Sequence, residues 1–87
     1  MSFHLDFSDQ AKSEIDDHKK AGNKVVLKKL LNLLNELSEH PFEGTGKPEA
    51  LKHNLSGFWS RRINNEHRLV YEVSSDIVYI ISVKGHY

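Results

Sequence analysis

Three residues in the second half of the chain carry the side chains needed to cleave a ribose phosphodiester. Glu49 lies in a loop-like segment, Arg68 in a predicted strand and His86 at the penultimate position. A carboxylate and an imidazole can act as base and acid on the two sides of a phosphodiester when the nucleophile is the RNA's own 2′-hydroxyl, and no metal is needed. An arginine fork suits the phosphate oxygens on which negative charge builds up. These residue types predict RNA transesterification if the fold brings them together.

Each of the three also has a simpler interpretation. Glu49 stands among glycines and prolines and could be a solvated loop carboxylate, while Arg68 could pair with Glu66 or Glu72 on a sheet surface. His86 could belong to a frayed chain end. Spacing alone leaves both interpretations open.

The composition is that of a small globular protein. The 87 residues include 38% apolar and 28% charged residues and no cysteine, and we expect one domain spanning residues 1–87. Twelve basic residues balance twelve acidic ones, so the overall basic excess typical of nucleic-acid-binding proteins is absent. No apolar run is long enough for a membrane span, and residues 1–10 lack a secretory signal pattern. We therefore expect a cytoplasmic protein without membrane contacts.

Six histidines raise the question of a metal site. His53, His67 and His86 have neither cysteine partners nor a regular ligand spacing, so we expect no metal and no cofactor. His18 and His40 are interpreted as solvated helix residues.

The first half of the chain predicts a strand and two helices. Residues 3–7 alternate apolar and polar side chains, as in a half-buried strand. Ser8 suits the N-cap of a helix that runs to about Ala21, and Gly22 suits its C-terminal end. The second helix ends before Pro41, and its apolar residues share one broad face that we expect to form the core, with room for part of it to meet another chain: Val26, Leu27, Leu30, Leu31, Leu33, Leu34 and Leu37.

The second half predicts a long loop and three strands. Residues 41–57 are rich in glycine and proline and are interpreted as a loop that could hold a short helical turn around Leu51. The runs 58–63, 67–73 and 77–83 are rich in β-branched and aromatic residues and predict an antiparallel meander, in which alternation sends either Phe58 or Trp59 into the core. The order β-α-α-β-β-β indicates an α+β fold, with two antiparallel helices on one face of a small, twisted, mainly antiparallel sheet.

The stretch "PFEGTGKPEALKHNLSGFWSRRINNEHRLVYEV", residues 41–73, and the terminal "HY" resemble the Txe/YoeB toxins, a branch of the RelE/ParE superfamily. The resemblance implies a RelE-like fold and the toxin of a type II toxin–antitoxin system that cleaves messenger RNA on the ribosome. The alternative is a non-enzymatic inhibitor on the same fold, as in the ParE branch that poisons gyrase. An RNA-binding module without activity is a third interpretation.

The resemblance also implies residue roles. Glu49 matches the general base, Arg68 the arginine that stabilises the phosphorane, and His86 the general acid that protonates the 5′-oxygen. Tyr87 matches the terminal tyrosine that helps to place the scissile phosphate and base. The candidate RNA-binding residues are Lys47, Lys52, His53, Arg61 and Arg62, of which Lys52 and Arg61 match basic residues of the family's RNA-binding face.

Products and partners follow from the same resemblance. The products would be a 2′,3′-cyclic phosphate and a 5′-hydroxyl, formed without a metal. The partners would be a YefM/Axe-like antitoxin with a disordered tail, the ribosome and its messenger RNA, and a second copy of the toxin. Thr45, Ala50 and Gly85 stand where the family pattern commonly has a lysine, a second proline and a bulkier residue, and Gly85 is expected to make the tail more mobile.

Overall fold

The computed structural model describes residues 2–51 and 57–85. β1 (His4–Phe7) leads into two helices, α1 (Asp9–Lys20) and α2 (Lys24–Leu37). The strands that follow are β2 (Glu49–Ala50), β3 (Phe58–Arg62), β4 (Arg68–Ser74) and β5 (Ile77–Ser82). The predicted α+β architecture is confirmed, and β2 is an additional strand in the segment predicted to be a loop. Neither helix in the described ranges has the length and apolar character needed to cross a membrane.

The strands form a single sheet with the order β1-β5-β4-β3-β2. β3, β4 and β5 are antiparallel neighbours, as the meander predicts, whereas β1 pairs in parallel with β5. β2 pairs antiparallel with β3, and the backbone N–H of Leu51 continues this pairing by donating to the carbonyl of Phe58 at 2.9 Å. Leu51 therefore extends the sheet edge, and the remainder of the helical turn predicted around it, residues 52–56, lies outside the described residues.

The ends of α1 follow from its local sequence. The Ser8 hydroxyl accepts a hydrogen bond from the Ala11 N–H at 2.9 Å, which satisfies one of the free donors at the helix start. Gly22 follows the C-cap Ala21 with φ +73°, a left-handed conformation that glycine adopts without steric cost. These sequence predictions are confirmed. α2 ends at Leu37, earlier than expected from Pro41.

α2 supplies the main apolar face against the sheet. Its buried residues are Val26, Leu30, Leu33 and Leu37, and they pack in one cluster with sheet residues that include Leu69, Tyr71, Val78 and Ile80. Leu31 was expected in this face but is 59% exposed. It lies farthest around the helix from the centre of the buried stripe, because successive residues are about 100° apart, and the sheet covers only the central part of that stripe.

Arg61 lies in the interior, which corrects the expectation that it contacts RNA. Its side chain has no exposed surface. Along β3 it alternates in phase with Trp59, which packs against the core, while the neighbouring Arg62 points outward and is exposed. A fully buried guanidinium cannot reach a phosphate, so the role of Arg61 in this structure is structural.

The Arg61 guanidinium is hydrogen-bonded at every nitrogen. Nε donates to the Tyr71 hydroxyl at 3.2 Å, and Nη1 donates to the Glu36 carboxylate at 3.0 Å. The other acceptors are backbone carbonyl oxygens of the segment after α2, namely those of His40, Glu43 and Thr45. Five donors thus meet five acceptors, and they fix the chain between α2 and β2.

The Arg61 network can be tested by comparing Arg61→Met with Arg62→Met. We expect Arg61→Met to lower the free energy of unfolding by about 3–5 kcal/mol, because it leaves the partly buried Glu36 carboxylate and three backbone carbonyls without their charged donor. Arg62→Met changes the adjacent exposed residue and should stay within about 0.5 kcal/mol of the wild type. Urea unfolding followed by far-UV circular dichroism measures both, and equal effects of the two substitutions would contradict the buried network.

Candidate active site

Glu49 and Arg68 lie on the same face of the sheet, on strands that flank β3. Glu49 is opposite Ser60 in the register of β2 and β3, and Arg68 is opposite Arg62 in that of β3 and β4. The Glu49 Oε2 and Arg68 Nη1 atoms are 3.9 Å apart. The pairing of Arg68 with Glu49 replaces the two surface pairings that the sequence left open, and it brings together two of the three predicted catalytic residues.

The two side chains of this pair differ in exposure. The Arg68 side chain is 26% exposed, whereas that of Glu49 is 68% exposed. An ion pair at this distance with one well-solvated partner contributes little to stability. The carboxylate is therefore accessible to a substrate hydroxyl, and the guanidinium, held on a central strand, keeps an accessible edge for an anion.

A further cation, Arg62, lies beside the pair and connects it to a groove. Arg62 is the direct cross-strand neighbour of Arg68, and like charges placed opposite each other destabilise a sheet unless an anion offsets them. Arg62 also lines a groove of about 370 Å³ together with Lys29 and Lys47. The described residues that complete the groove are uncharged: Gly46, Ile63, Asn64 and Asn65. An adjoining depression of about 170 Å³ shares Lys29, Arg62 and Ile63 with it.

The structure places the predicted RNA-binding residues in different environments. Lys47 and Arg62 are exposed and lie in the groove, and Arg61 is buried. Lys29 also lines the groove but was not predicted from the sequence, because a lysine on the polar face of α2 does not indicate that the helix borders the end of β3. Four predicted site residues lie outside the described residues: Lys52, His53, His86 and Tyr87.

The described chain reaches the candidate site again at Gly85. The backbone N–H of Arg68 donates to the Gly85 carbonyl at 2.9 Å, and the Gly85 N–H donates to Nδ1 of His67 at 2.9 Å. The residue that precedes His86 in the sequence is therefore bonded to the backbone of Arg68 and to the side chain before it. Glu49, Arg68 and Gly85 are thus gathered at one part of the sheet.

His18 is buried, contrary to the prediction that it is a solvated helix residue. Only 1% of it is exposed, and its Nε2 donates to the Val83 carbonyl at 3.0 Å. Its ring meets that of His67 edge-on, with centroids 4.7 Å apart. Burial lowers the pKa of His67 below the usual 6.5, with a further lowering from His18. His40 is exposed, as expected, but lies beyond the end of α2.

The aromatic pair at the start of β3 is divided between the two faces of the sheet. Trp59 packs against the core and lies 5.1 Å, centroid to centroid, from the exposed Phe42. Phe58 is opposite Glu72 on the other face. Alternation therefore predicted correctly that one of the two enters the core.

The sequence is similar to one family of bacterial toxins, both to the family's sequence model and to its individual members. The sequence model of the family described as "YoeB-like toxin of bacterial type II toxin-antitoxin system" matches residues 7–87. Toxin YoeB of Escherichia coli (strain K12) is 55% identical over 65 residues, which make up 75% of this chain and 77% of that protein.

Solved structures of relatives resemble this one over their full length. The YoeB dimer from Staphylococcus aureus has a TM-score of 0.88 at 42% identity, with 100% of both chains covered. The YoeB-YefM complex from Staphylococcus aureus has a TM-score of 0.86 at 43% identity, again with 100% of both chains covered.

The lowered pKa of His67 predicts a pH dependence of stability. Below about pH 6.5 the unfolded chain binds a proton at this residue that the folded protein excludes until its own lower pKa is reached, so the folded state loses stability as the pH falls through that interval. His67→Asn removes the titrating group, and the stability difference between wild type and variant should therefore shrink on acidification. Urea unfolding between about pH 5 and pH 8 measures it, and a constant difference would contradict the prediction.

Proposed function

Because the chain belongs to the YoeB-like toxin family of bacterial type II toxin–antitoxin systems, we propose that it is a ribosome-dependent endoribonuclease that cleaves messenger RNA and so inhibits translation. The observation that carries the proposal is the Glu49–Arg68 pair, 3.9 Å apart, on a sheet face where Arg62 lies directly opposite Arg68. A carboxylate can accept the proton of a 2′-hydroxyl, and an adjacent guanidinium can bind the oxygens of the neighbouring phosphate.

The proposed reaction is an internal transesterification. Glu49 accepts the proton of the 2′-hydroxyl, the 2′-oxygen forms a bond to phosphorus, and the bond from phosphorus to the 5′-oxygen breaks. His86 donates a proton to that leaving oxygen, and Tyr87 helps to place the phosphate and base. Arg68 binds the non-bridging oxygens as their negative charge increases. The products are a 2′,3′-cyclic phosphate and a 5′-hydroxyl, and the proton taken up by Glu49 balances the one released by His86.

Dependence on the ribosome agrees with the charge of the chain. Affinity for free RNA comes mainly from cations that neutralise phosphates, and twelve acidic residues offset the twelve basic ones. Among the described residues, Lys29, Lys47 and Arg62 in the groove supply a local attraction for phosphates. A ribosome that presents the message in a fixed orientation supplies the positioning that free RNA lacks, which can be worth several kcal/mol of activation free energy.

The partners are proposed from the solved relatives. The Staphylococcus aureus protein forms a dimer and a complex with YefM, and we extend both to this chain as a second copy and a YefM-like antitoxin. Arg62 and Arg68 lie side by side on the sheet, so carboxylates of an antitoxin segment could occupy the place proposed for the phosphate. Such an antitoxin would inhibit by direct competition with RNA.

Glu49→Gln tests the proposed base. We expect cleavage of messenger RNA on programmed ribosomes to slow by about 10²–10⁴-fold, because the amide cannot take the 2′-hydroxyl proton. The matched control is Glu43→Gln, whose side chain is 79% exposed and whose contact with Arg61 is made by its backbone carbonyl; its rate should be unchanged. The assay maps RNA ends with toxin freed of metal by EDTA before it is added to ribosomes.

Three outcomes would contradict the proposal as a whole or one of its steps. A message that stays full-length with wild-type toxin excludes it, and poisoning of gyrase by the same preparation would then favour the ParE-like alternative. A Glu49→Gln rate within about threefold of wild type would reassign the base. Cleavage that continues when the scissile ribose lacks its 2′-hydroxyl would exclude the internal nucleophile.

Lys29→Met tests the groove. The affinity for programmed ribosomes should decrease. The slope of the logarithm of the binding constant against the logarithm of salt concentration should become smaller in magnitude by about one, because one phosphate contact is lost. The single-turnover cleavage rate at saturating toxin should stay within about threefold. Lys28→Met removes the adjacent exposed lysine, which does not line the groove, and should leave the salt dependence unchanged. Equal effects of both substitutions would indicate only general electrostatic attraction.

A further inference from the structure

Each residue from Val83 to Gly85 forms a hydrogen bond or an ion pair. Val83 and Lys84 contact side chains of α1, and Gly85 contacts His67 and Arg68 at the start of β4. The Val83 N–H donates to Glu14 Oε1 at 2.8 Å, and the Val83 carbonyl accepts from His18 Nε2 at 3.0 Å. Lys84 Nζ lies 3.3 Å from Asp17 Oδ2. Gly85 is held on both sides, by Nδ1 of His67 and by the backbone N–H of Arg68.

The bond from Gly85 to His67 defines the state of the imidazole. Nδ1 can accept from a backbone N–H only through its lone pair, so the single ring proton of the neutral form is on Nε2. Nε2 is 3.9 Å from the Glu66 carboxylate. Addition of a second proton at Nδ1 would remove the lone pair and set two N–H groups against each other, and the bond to Gly85 would be lost.

The surroundings of His67 oppose that second proton. The charged and titratable groups that face it are His18 and Glu14 from α1, Glu66 beside it in the turn before β4, and Lys84 from the terminal segment. Burial, His18 and Lys84 disfavour the imidazolium, whereas Glu66 and Glu14 favour it, and the balance leaves the pKa lowered. His67 is thus kept as an acceptor near neutral pH and loses that ability on acidification.

We propose that His67 is a positioning residue for catalysis, whose neutral imidazole fixes the backbone of Gly85, the residue that precedes His86 in the sequence. This inference rests on the proposed function for its catalytic consequence. Gly85 has φ +72° and no side chain to restrict it, so its two hydrogen bonds supply the restriction that the backbone lacks. The sequence predicts a mobile tail at this glycine, and the bond to His67 is what counters it.

The expected effect on the rate is large because catalysis depends on orientation. A displacement of about 1 Å in a reacting group can slow a reaction about 100-fold. Loss of the His67 acceptor should therefore lower the rate of the chemical step and leave ribosome binding unchanged. A residue that only stabilised the fold would act on the amount of folded protein and would not change the rate at saturation or its pH dependence.

Two substitutions separate positioning from packing. His67→Leu keeps a similar volume and removes the acceptor. His67→Asn places a carbonyl oxygen at the position of Nδ1, so it can still accept from Gly85 but cannot titrate. Single-turnover cleavage on programmed ribosomes should fall about 10- to 100-fold in His67→Leu and stay within about threefold in His67→Asn. The wild type should lose activity on acidification at a higher pH than His67→Asn does.

A direct observation of the bond comes from amide hydrogen exchange of the free toxin by NMR. In the wild type the protection factor of Gly85 should fall in step with protonation of His67. It should be low at every pH in His67→Leu and independent of pH in His67→Asn. The Val83 amide, which is hydrogen-bonded to Glu14, is the internal control. Its protection factor should not depend on the protonation or substitution of residue 67.

The outcomes distinguish this inference from the proposed function. If wild-type toxin does not cleave messenger RNA on ribosomes, the proposed function is wrong. Amide exchange at Gly85 would still show whether His67 fixes the Gly85 backbone. Active wild type together with a His67→Leu rate within about twofold of it would overturn the positioning role alone. A protection factor of the Gly85 amide that does not change when His67 is protonated would also overturn the positioning role. If His67→Leu does not fold, the pH profiles of the wild type and His67→Asn decide, and identical profiles would refute the proposal.

Discussion

The buried guanidinium of Arg61 is the interaction on which the arrangement of the candidate site depends. Removing a charge from water costs several kcal/mol, and a protein retains such a group only when its hydrogen bonds and a counter-charge compensate. Here Glu36 supplies the charge, and the carbonyls of the segment after α2 supply most of the other acceptors. The same bonds fix the path of a segment that has no regular secondary structure of its own.

That path determines where β2 begins. Gly46 follows Thr45 with φ +84°, and a Cβ there would lie 2.8 Å from the Arg62 carbonyl, so a larger residue would displace the segment from β3. The Arg62 N–H donates to the Gly46 carbonyl at 2.7 Å. Three residues later the chain delivers Glu49 to the sheet edge. A core arginine and a close backbone approach thus position a catalytic candidate that belongs to a strand of only two residues.

The sequence predicted the elements whose signals are local. Short stretches of sequence predict the caps of α1, the apolar stripe of α2 and the three strands of the meander. The structure contains each of these features. The alternation of Arg61 in phase with Trp59 and Ile63 also indicates burial, whereas its positive charge favours an exposed position. β2, the burial of His18 and the groove at Lys29 could not be predicted, because each depends on a partner far along the chain.

Parallel pairing of β1 with β5 joins parts of the chain that are distant in sequence, and Ser8 Oγ bonds to the Ile81 carbonyl across 73 positions. Contacts of such high contact order form slowly, since the chain must lose loop-closure entropy before they form. During synthesis β1 leaves the ribosomal tunnel early. It cannot pair with its neighbour in the sheet until β5 has also left the tunnel. The same late strand leads into the segment held by α1, so the sheet and the candidate active site are completed at the same stage of biosynthesis.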